Sequence, residues 1–317
     1  MVAVVVLFFP NGTILAKVDS SSSVPYESFD LPELEYEEII ELKRILKDKE
    51  ISEFNSDSSL NDYSLEDYHP FSSISINGEL IPYEVSDKNN IFNDYDTIFP
   101  SPSIFATDNR VKINNTKVHP YNAVAKIDIL THNDMGARCS GSFITPTHVL
   151  TAAHCVYDAY NKKFHKGFVV LPGLDSGGAH YGAYGVTNGW IVNGWANSSP
   201  PNSESVYLTD VVYDFAVLKV EGSHQYDLNV AKSENPSASI QAIGYPADKG
   251  YFDMYRSPGK ITGFNSGAIV HSAYITGGQS GGPIREGNNT ISVVSTASWG
   301  PQFTTYHLNI LRNWEDL

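Results

Sequence analysis

From residue 118 onward the sequence breaks into short apolar runs at 123–130, 141–144, 148–151, 167–171, 215–220, 240–243 and 291–294, with Gly, Pro and Asn between them. Runs of this length, rich in β-branched residues and bounded by turn formers, read as strands rather than helices. Their spacing predicts an antiparallel sandwich or barrel. Charged residues make up 18% of the chain, below the roughly 25% of ordinary soluble domains, and nineteen Tyr help to fill the gap. Both features fit a loop-rich, all-β protein. At 317 residues and 41% hydrophobic, the chain has material for one or two well-packed domains.

The charge divides the chain in two. Residues 18–102 carry 20 acids against 5 bases, whereas residues 103–317 carry 16 acids against 15 bases, so the whole net charge of −15 sits in the first third. Pro100 and Pro102 interrupt regular structure at the division. Such an acidic balance excludes nucleic acid as the main partner, because phosphate binding needs clustered Lys and Arg. Two cysteines exclude a small disulfide-stapled scaffold and a four-cysteine zinc site. His119, His132 and His148 have no Cys, Asp or Glu at ligand spacing and read as structural or exposed; no metal or cofactor is expected.

Val2 to Phe9 are eight consecutive apolar residues, which suits the core of a signal peptide and falls far short of a membrane span. Ala16 would precede the cut, giving a signal peptide at 1–17; the competing reading is a first strand ended at Pro10-Asn11-Gly12. Residues 30–50 read as a helix capped by Asp30 with Glu33 three residues on, Pro32 in its first turn and Leu34, Ile39, Leu42 and Leu46 on one face. Asn77-Gly78, between Ile74/Ile76 and Leu80, is a hairpin signal. Residues 51–67 and 86–102 read as loops. Residues 18–102 are thus a small acidic α+β unit with a linker. Asn114, Asn197 and Asn288 each begin a glycosylation sequon.

Three stretches carry chemistry. In Thr151-Ala152-Ala153-His154-Cys155 a histidine closes a strand beside one cysteine, and Cys139 heads a strand sixteen residues earlier. A hairpin would bring the two sulfurs together and fix the histidine loop; the alternative is two separate buried thiols. Gly277-Gly278-Gln279-Ser280-Gly281-Gly282-Pro283 embeds a serine among glycines. A serine hydroxyl needs a base to become a nucleophile, and its attack leaves an oxyanion that needs backbone N–H donors, which glycines allow to turn inward. Tyr213-Asp214-Phe215 places an aspartate at the head of an apolar strand, where it can accept a histidine N–H; Asp210 is the competitor.

The order His154, Asp214, Ser280 resembles that of the chymotrypsin-like serine endopeptidases. The stretches 108–110, 119–121, 244–249 and 259–262 resemble most the glutamyl endopeptidase group within them. The resemblance covers about residues 103–317. It implies two antiparallel six-stranded β-barrels with a C-terminal helix, for which residues 308–314 are long enough. It also implies a secreted monomer acting on proteins or peptides without a cofactor, preceded by a propeptide (18–102) that is an intramolecular partner and is removed near Ser103. In this reading His154, Asp214 and Ser280 are catalytic, the N–H groups of Gly278 and Ser280 form the oxyanion hole, and Cys139 pairs with Cys155. Gln279 stands where digestive proteases have an aspartate for a buried N-terminal ammonium, so activation by that ion pair is not expected. Two alternatives are a silent homologue serving as a binding module and an intracellular quality-control protease. Gly278-Gln279-Ser280-Gly281-Gly282 also fits the lipase elbow pattern, but the histidine comes first and no strand–elbow–helix context surrounds it.

Specificity is where resemblance and residues part. Glutamyl endopeptidases read the residue before the cut bond with a histidine on the strand after the nucleophile and a hydroxyl five positions before it. Here that position is Ile275, between Tyr274 and Thr276, and residues 291–300 contain no histidine. Ser298-Trp299-Gly300 resembles the segment that pairs with substrate backbone. Only Arg110 or a new N-terminal amine would offset a buried glutamate. The expectation is that strict glutamate specificity is absent and that uncharged residues are preferred.

Overall fold

The computed structural model describes residues 3–9, 12–18, 25–55, 68–83 and 107–317. The boundary expected near Ser103, the whole 86–102 linker and residues 56–67 of the loop expected at 51–67 lie outside the described residues.

The β-type runs form two sheets, as their patterning demands. In the first, strands Gly167–Pro172, Val124–Leu130, Gly136–Phe143, His148–Thr151, Ala216–Val220 and Tyr184–Val192 follow one another in antiparallel order. Pairing of Val169 with Gly185 closes the circle into a six-stranded barrel. Val124–Leu130 and Gly136–Phe143 are buried along their whole length, which is why they lack the alternation of one-sided strands. The second sheet runs Asn229–Val230, Asn289–Val293, Pro283–Glu286, Ser239–Gly244, Tyr255–Asn265, Ala268–His271, Trp299–Pro301. All its pairings are antiparallel except the first. No ladder closes this sheet among the described residues; its ends meet where Ser292 Oγ donates to Pro301 O at 2.7 Å. The C-terminal helix Thr305–Glu315 buries Ile310, Leu311 and Trp314. Phe215 of the first barrel packs on Trp314, and the Trp314 indole N–H donates to Ser73 Oγ at 2.7 Å.

The acidic N-terminal part is woven into this body. Ala3–Phe9 and Gly12–Val18 pair as antiparallel strands, and the sheet continues through Pro25–Ser28 to Ser205–Tyr207. The hairpin at Asn77-Gly78 joins Ser73–Ser75 to Leu80–Ile81, with Gly78 at φ +83°, and adds both strands to Tyr184–Val192 of the barrel. The helix is shorter than the sequence suggested. It spans Tyr36–Asp48, capped at Glu35, whose N–H is accepted by Glu38 Oε2 at 2.9 Å. Residues 30–34 cannot begin a helix because their backbone is spent on the barrel: Leu34 N–H donates to Gly136 O (3.0 Å), and Arg138 N–H to Pro32 O (3.0 Å). Leu34, Leu42 and Leu46 then share one apolar cluster with Val124, Leu130, Val169 and Ile243. The apolar face of the helix thus finds its partner in the barrel.

Candidate active site

His154 sits in the turn Ala153–Cys155 at the end of strand His148–Thr151. A Cys139–Cys155 disulfide anchors that turn to the neighbouring strand. Ala216 pairs with Thr151, so the segment just before Ala216 runs back past the turn and delivers Asp214 to His154. The carboxylate is fully buried and fully used. Asp214 Oδ2 lies 2.8 Å from His154 Nδ1 and accepts Ser295 Oγ at 2.6 Å, while Oδ1 accepts the His154 backbone N–H at 2.9 Å. The competitor, Asp210, faces away and accepts Ser198 Oγ at 2.7 Å. Burial raises its pKa.

Ser280 lies in the glycine-rich loop before strand Pro283–Glu286. The loop is pinned at two points by one residue: Ser140 N–H donates to Ser280 O (2.7 Å) and Ser140 Oγ to Gly278 O (2.7 Å). Gly278 is required as glycine, since at φ +88° a Cβ would lie 2.5 Å from Tyr245 O. Gln279 is fully buried and braces the loop, accepting Thr276 N–H and donating to Ser257 Oγ, each at 3.1 Å. Its amide is therefore satisfied without a charged partner. Among the described residues, the N–H groups of Gly278 and Ser280 and the Ser280 hydroxyl donate to no protein acceptor. His154 Nε2 is buried without a hydrogen-bond partner.

Beside Ser280 is a cavity of about 270 Å³, walled by Ile275, Thr276 and Gly277 on one side and Thr296 and Ala297 on the other. Its roof is foreign to the barrels: Ser28, Phe29 and Asp30 of the acidic segment cross it. Phe29 stacks on the His154 ring, and the Asp30 side chain lies against Gly277. Arg110 stands behind Thr276, donating to Thr276 Oγ1 (2.7 Å), Asp108 (2.9 Å) and Asp248 (2.6 Å), with its guanidinium over the Tyr274 ring. Two carboxylates thus compensate that cation outside the cavity.

Ile275 and Thr276 reach the cavity; Tyr274 instead flanks Arg110. Ser298-Trp299-Gly300 is not available for pairing with another chain, which corrects the sequence reading. Its backbone bonds to Ala268–His271 along one edge, and Trp299 O accepts the Ser295 and Thr296 N–H groups on the other. The segment beside the cleft is three residues earlier, at Ser295-Thr296-Ala297. Ser295 was legible as a hydroxyl residue after the nucleophile, but nothing local marked it as the partner of Asp214.

A family model described as a trypsin-like peptidase domain matches residues 139–290. An extracellular metalloprotease of Bacillus subtilis is 29% identical over 195 residues, 59% of this chain and 58% of its own length. A glutamyl endopeptidase of Bacillus licheniformis is 26% identical over 214 residues, 65% of this chain and 61% of its own. The chain therefore spans about three-fifths of the length of these relatives. Among solved structures, a Glu endopeptidase in complex with MPD superposes with TM-score 0.57 at 24% identity, covering 67% of this chain and 98% of that one. The fold is chymotrypsin-like, and the chain stands close to the glutamyl endopeptidase group. The name of the Bacillus subtilis relative raises a metal. Among the described residues, the one group of three metal-type donors is Cys139, His154 and Cys155, and it does not fit an ion because both sulfurs are consumed in the disulfide.

Proposed function

We propose that the chain is a serine endopeptidase made as a secreted proenzyme, with His154, Asp214 and Ser280 as its catalytic residues. The observation that carries this reading is the His154–Asp214 contact at 2.8 Å, with both carboxylate oxygens held by donors. An aspartate fixed in this way keeps the proton on Nδ1 and leaves Nε2 as the base. Ser280 Oγ then attacks the scissile carbonyl, His154 takes its proton and returns it to the leaving amine, and Asp214 stabilises the imidazolium. The free N–H groups of Gly278 and Ser280 would receive the oxyanion, an effect worth about 3 kcal/mol per donor in comparable sites.

The acidic segment is the propeptide in this reading. Phe29 over His154 and Asp30 against Gly277 deny a substrate the ground above Ser280. Secretion is supported by the disulfide and by the extracellular relative. The cavity wall of Ile275, Gly277 and Ala297, with Arg110 held behind Thr276 by two carboxylates, favours uncharged residues before the cut bond over glutamate. The test is a serine-directed fluorophosphonate followed by peptide mapping, and a cleavage profile on a peptide library. Labelling of Ser280 with serine-dependent peptide cleavage supports the reading. A folded, matured protein that neither labels nor cleaves is the silent homologue.

A further inference from the structure

Thr296 does two things at once. One of its faces lines the cavity, and its hydroxyl reaches outward to Glu27 of the acidic segment, Oγ1 to Oε2 2.6 Å. The direction of that hydrogen bond is fixed. Thr296 Oγ1 already accepts the N–H groups of Ser298 (3.3 Å) and Trp299 (3.0 Å), so its own proton must point at the carboxylate. Ser298 adds its hydroxyl to the same carboxylate, and its backbone N–H is shared between that carboxylate and Thr296 Oγ1. Two hydroxyls and a shared N–H thus converge on one acidic side chain, a surface suited to an acceptor.

Position separates this contact from the cavity beside Ser280. Ser28, Phe29 and Asp30 roof that cavity, whereas Glu27 is not among the residues lining it. Its strand, Pro25–Ser28, is held in register by Ser205–Tyr207, with Val206 opposite Glu27. The segment is therefore extended as it approaches His154, and Glu27 precedes the residue stacked there by two.

We propose that Thr296 and Ser298 form a subsite for an acidic side chain of the substrate, two to four residues before the cut bond and distinct from the pocket for the residue at that bond. Glu27 occupies it in the proenzyme and a substrate Glu takes its place afterwards. This rests on the protease reading above.

The experiment uses the species that full-length protein matures to, and internally quenched peptides of one sequence carrying Glu, Gln, Leu or Lys at each of those positions. At one position Glu and Gln, the two acceptors, should both raise kcat/KM at least tenfold over Leu and Lys. In Thr296→Val the Glu-to-Leu ratio should fall towards one, while Thr296→Ser, which keeps the donor, should retain it; Ser298→Ala, which removes one hydroxyl, supplies a second loss variant should Thr296→Val not fold. Each ratio is internal to one variant, so a general change in activity cancels. Ser280-dependent cleavage with no such ratio, or with a ratio untouched in the loss variants, overturns the subsite and leaves the protease standing. Absence of any cleavage or labelling at Ser280 in matured wild-type protein overturns both.

Discussion

Phe29 lies flat on the His154 imidazole, ring centroids 4.0 Å apart and planes 19° from parallel. The two residues are 125 positions apart, and the contact joins the acidic segment to the residue that the proposed chemistry needs free. A phenyl ring there covers the histidine and excludes a substrate from the same face. Burial of such a side chain stabilises by about 1.5–3 kcal/mol, with about 0.5–1.5 kcal/mol more from the ring pair.

Phe29→Ala in the full-length chain should therefore loosen the cover. The rate of fluorophosphonate labelling at Ser280, measured before maturation, is expected to rise by about tenfold or more, since 1.4 kcal/mol is a factor of ten. An unchanged rate would mean that the stack does not limit access.

Asp214→Asn should cost about 10⁴-fold in kcat with the fold retained. The carboxylate accepts from three donors: the His154 ring, the His154 backbone and Ser295 Oγ. An amide presents one oxygen and one NH₂, so one of those contacts becomes donor against donor. The imidazole escapes by moving its proton to Nε2, which removes the base. Single-turnover kinetics and circular dichroism on the same preparations check it; activity within tenfold of wild type would exclude Asp214 from the role.

How much of this was legible depended on how local the signal was. His154, Asp214 and Ser280 each sit in a short motif whose composition singles it out, and the structure brings the first two into contact; the strands and the Asn77-Gly78 hairpin follow from period and turn chemistry. The helix could be seen from its apolar spacing, but its start could not. Asp30 is a good capping residue by type, yet tertiary pairing of residues 32–34 with Gly136 and Arg138 overrides it. Thr296 and Ala297 were missed, and Ser298–Gly300 chosen instead, because a one-turn difference in where a strand begins has no signature in composition. The long-range contacts of Glu27, Phe29 and Asp30 with the cleft had none either. They arise from sheet register, which is set by partners nearly two hundred residues away.

The disulfide is the next test. Cys139 and Cys155 are 16 positions apart, and for a loop of about that length the chain-entropy model gives about 3 kcal/mol. The Cys139→Ala/Cys155→Ala double variant should lose that much in urea unfolding. Its activity should fall further than its stability at low denaturant, because Cys155 adjoins His154 and holds its turn. No free thiol should be found in the denatured, unreduced wild-type protein.

Acid should unfold the protein through its buried histidines. Burial pushes His148, His165, His271 and His307 each down to about 4. His307 shows why: its Nε2 donates to Val212 O at 2.9 Å and its Nδ1 meets Thr304 at the start of the C-terminal helix, all inside the core. In the unfolded chain these rings take a proton near pH 6.5, whereas in the folded chain they stay neutral to about pH 4. Between those values the unfolded state binds more protons, so stability is full above pH 6.5 and falls as pH drops, by about 1.4 kcal/mol per unit for each histidine that remains neutral. Glu27 has the opposite sign. Burial outweighs its hydrogen bonds and raises its pKa above 4.5, so its contribution to holding the acidic segment is largest at low pH and declines as pH rises through the raised value. Urea unfolding from pH 7 to pH 4 should therefore show a steep loss for the whole chain. Hydrogen exchange confined to residues 25–33 should be slower at pH 5 than at pH 7.5 after correction for intrinsic rates. A flat unfolding profile over that range would mean the buried histidines are not neutral.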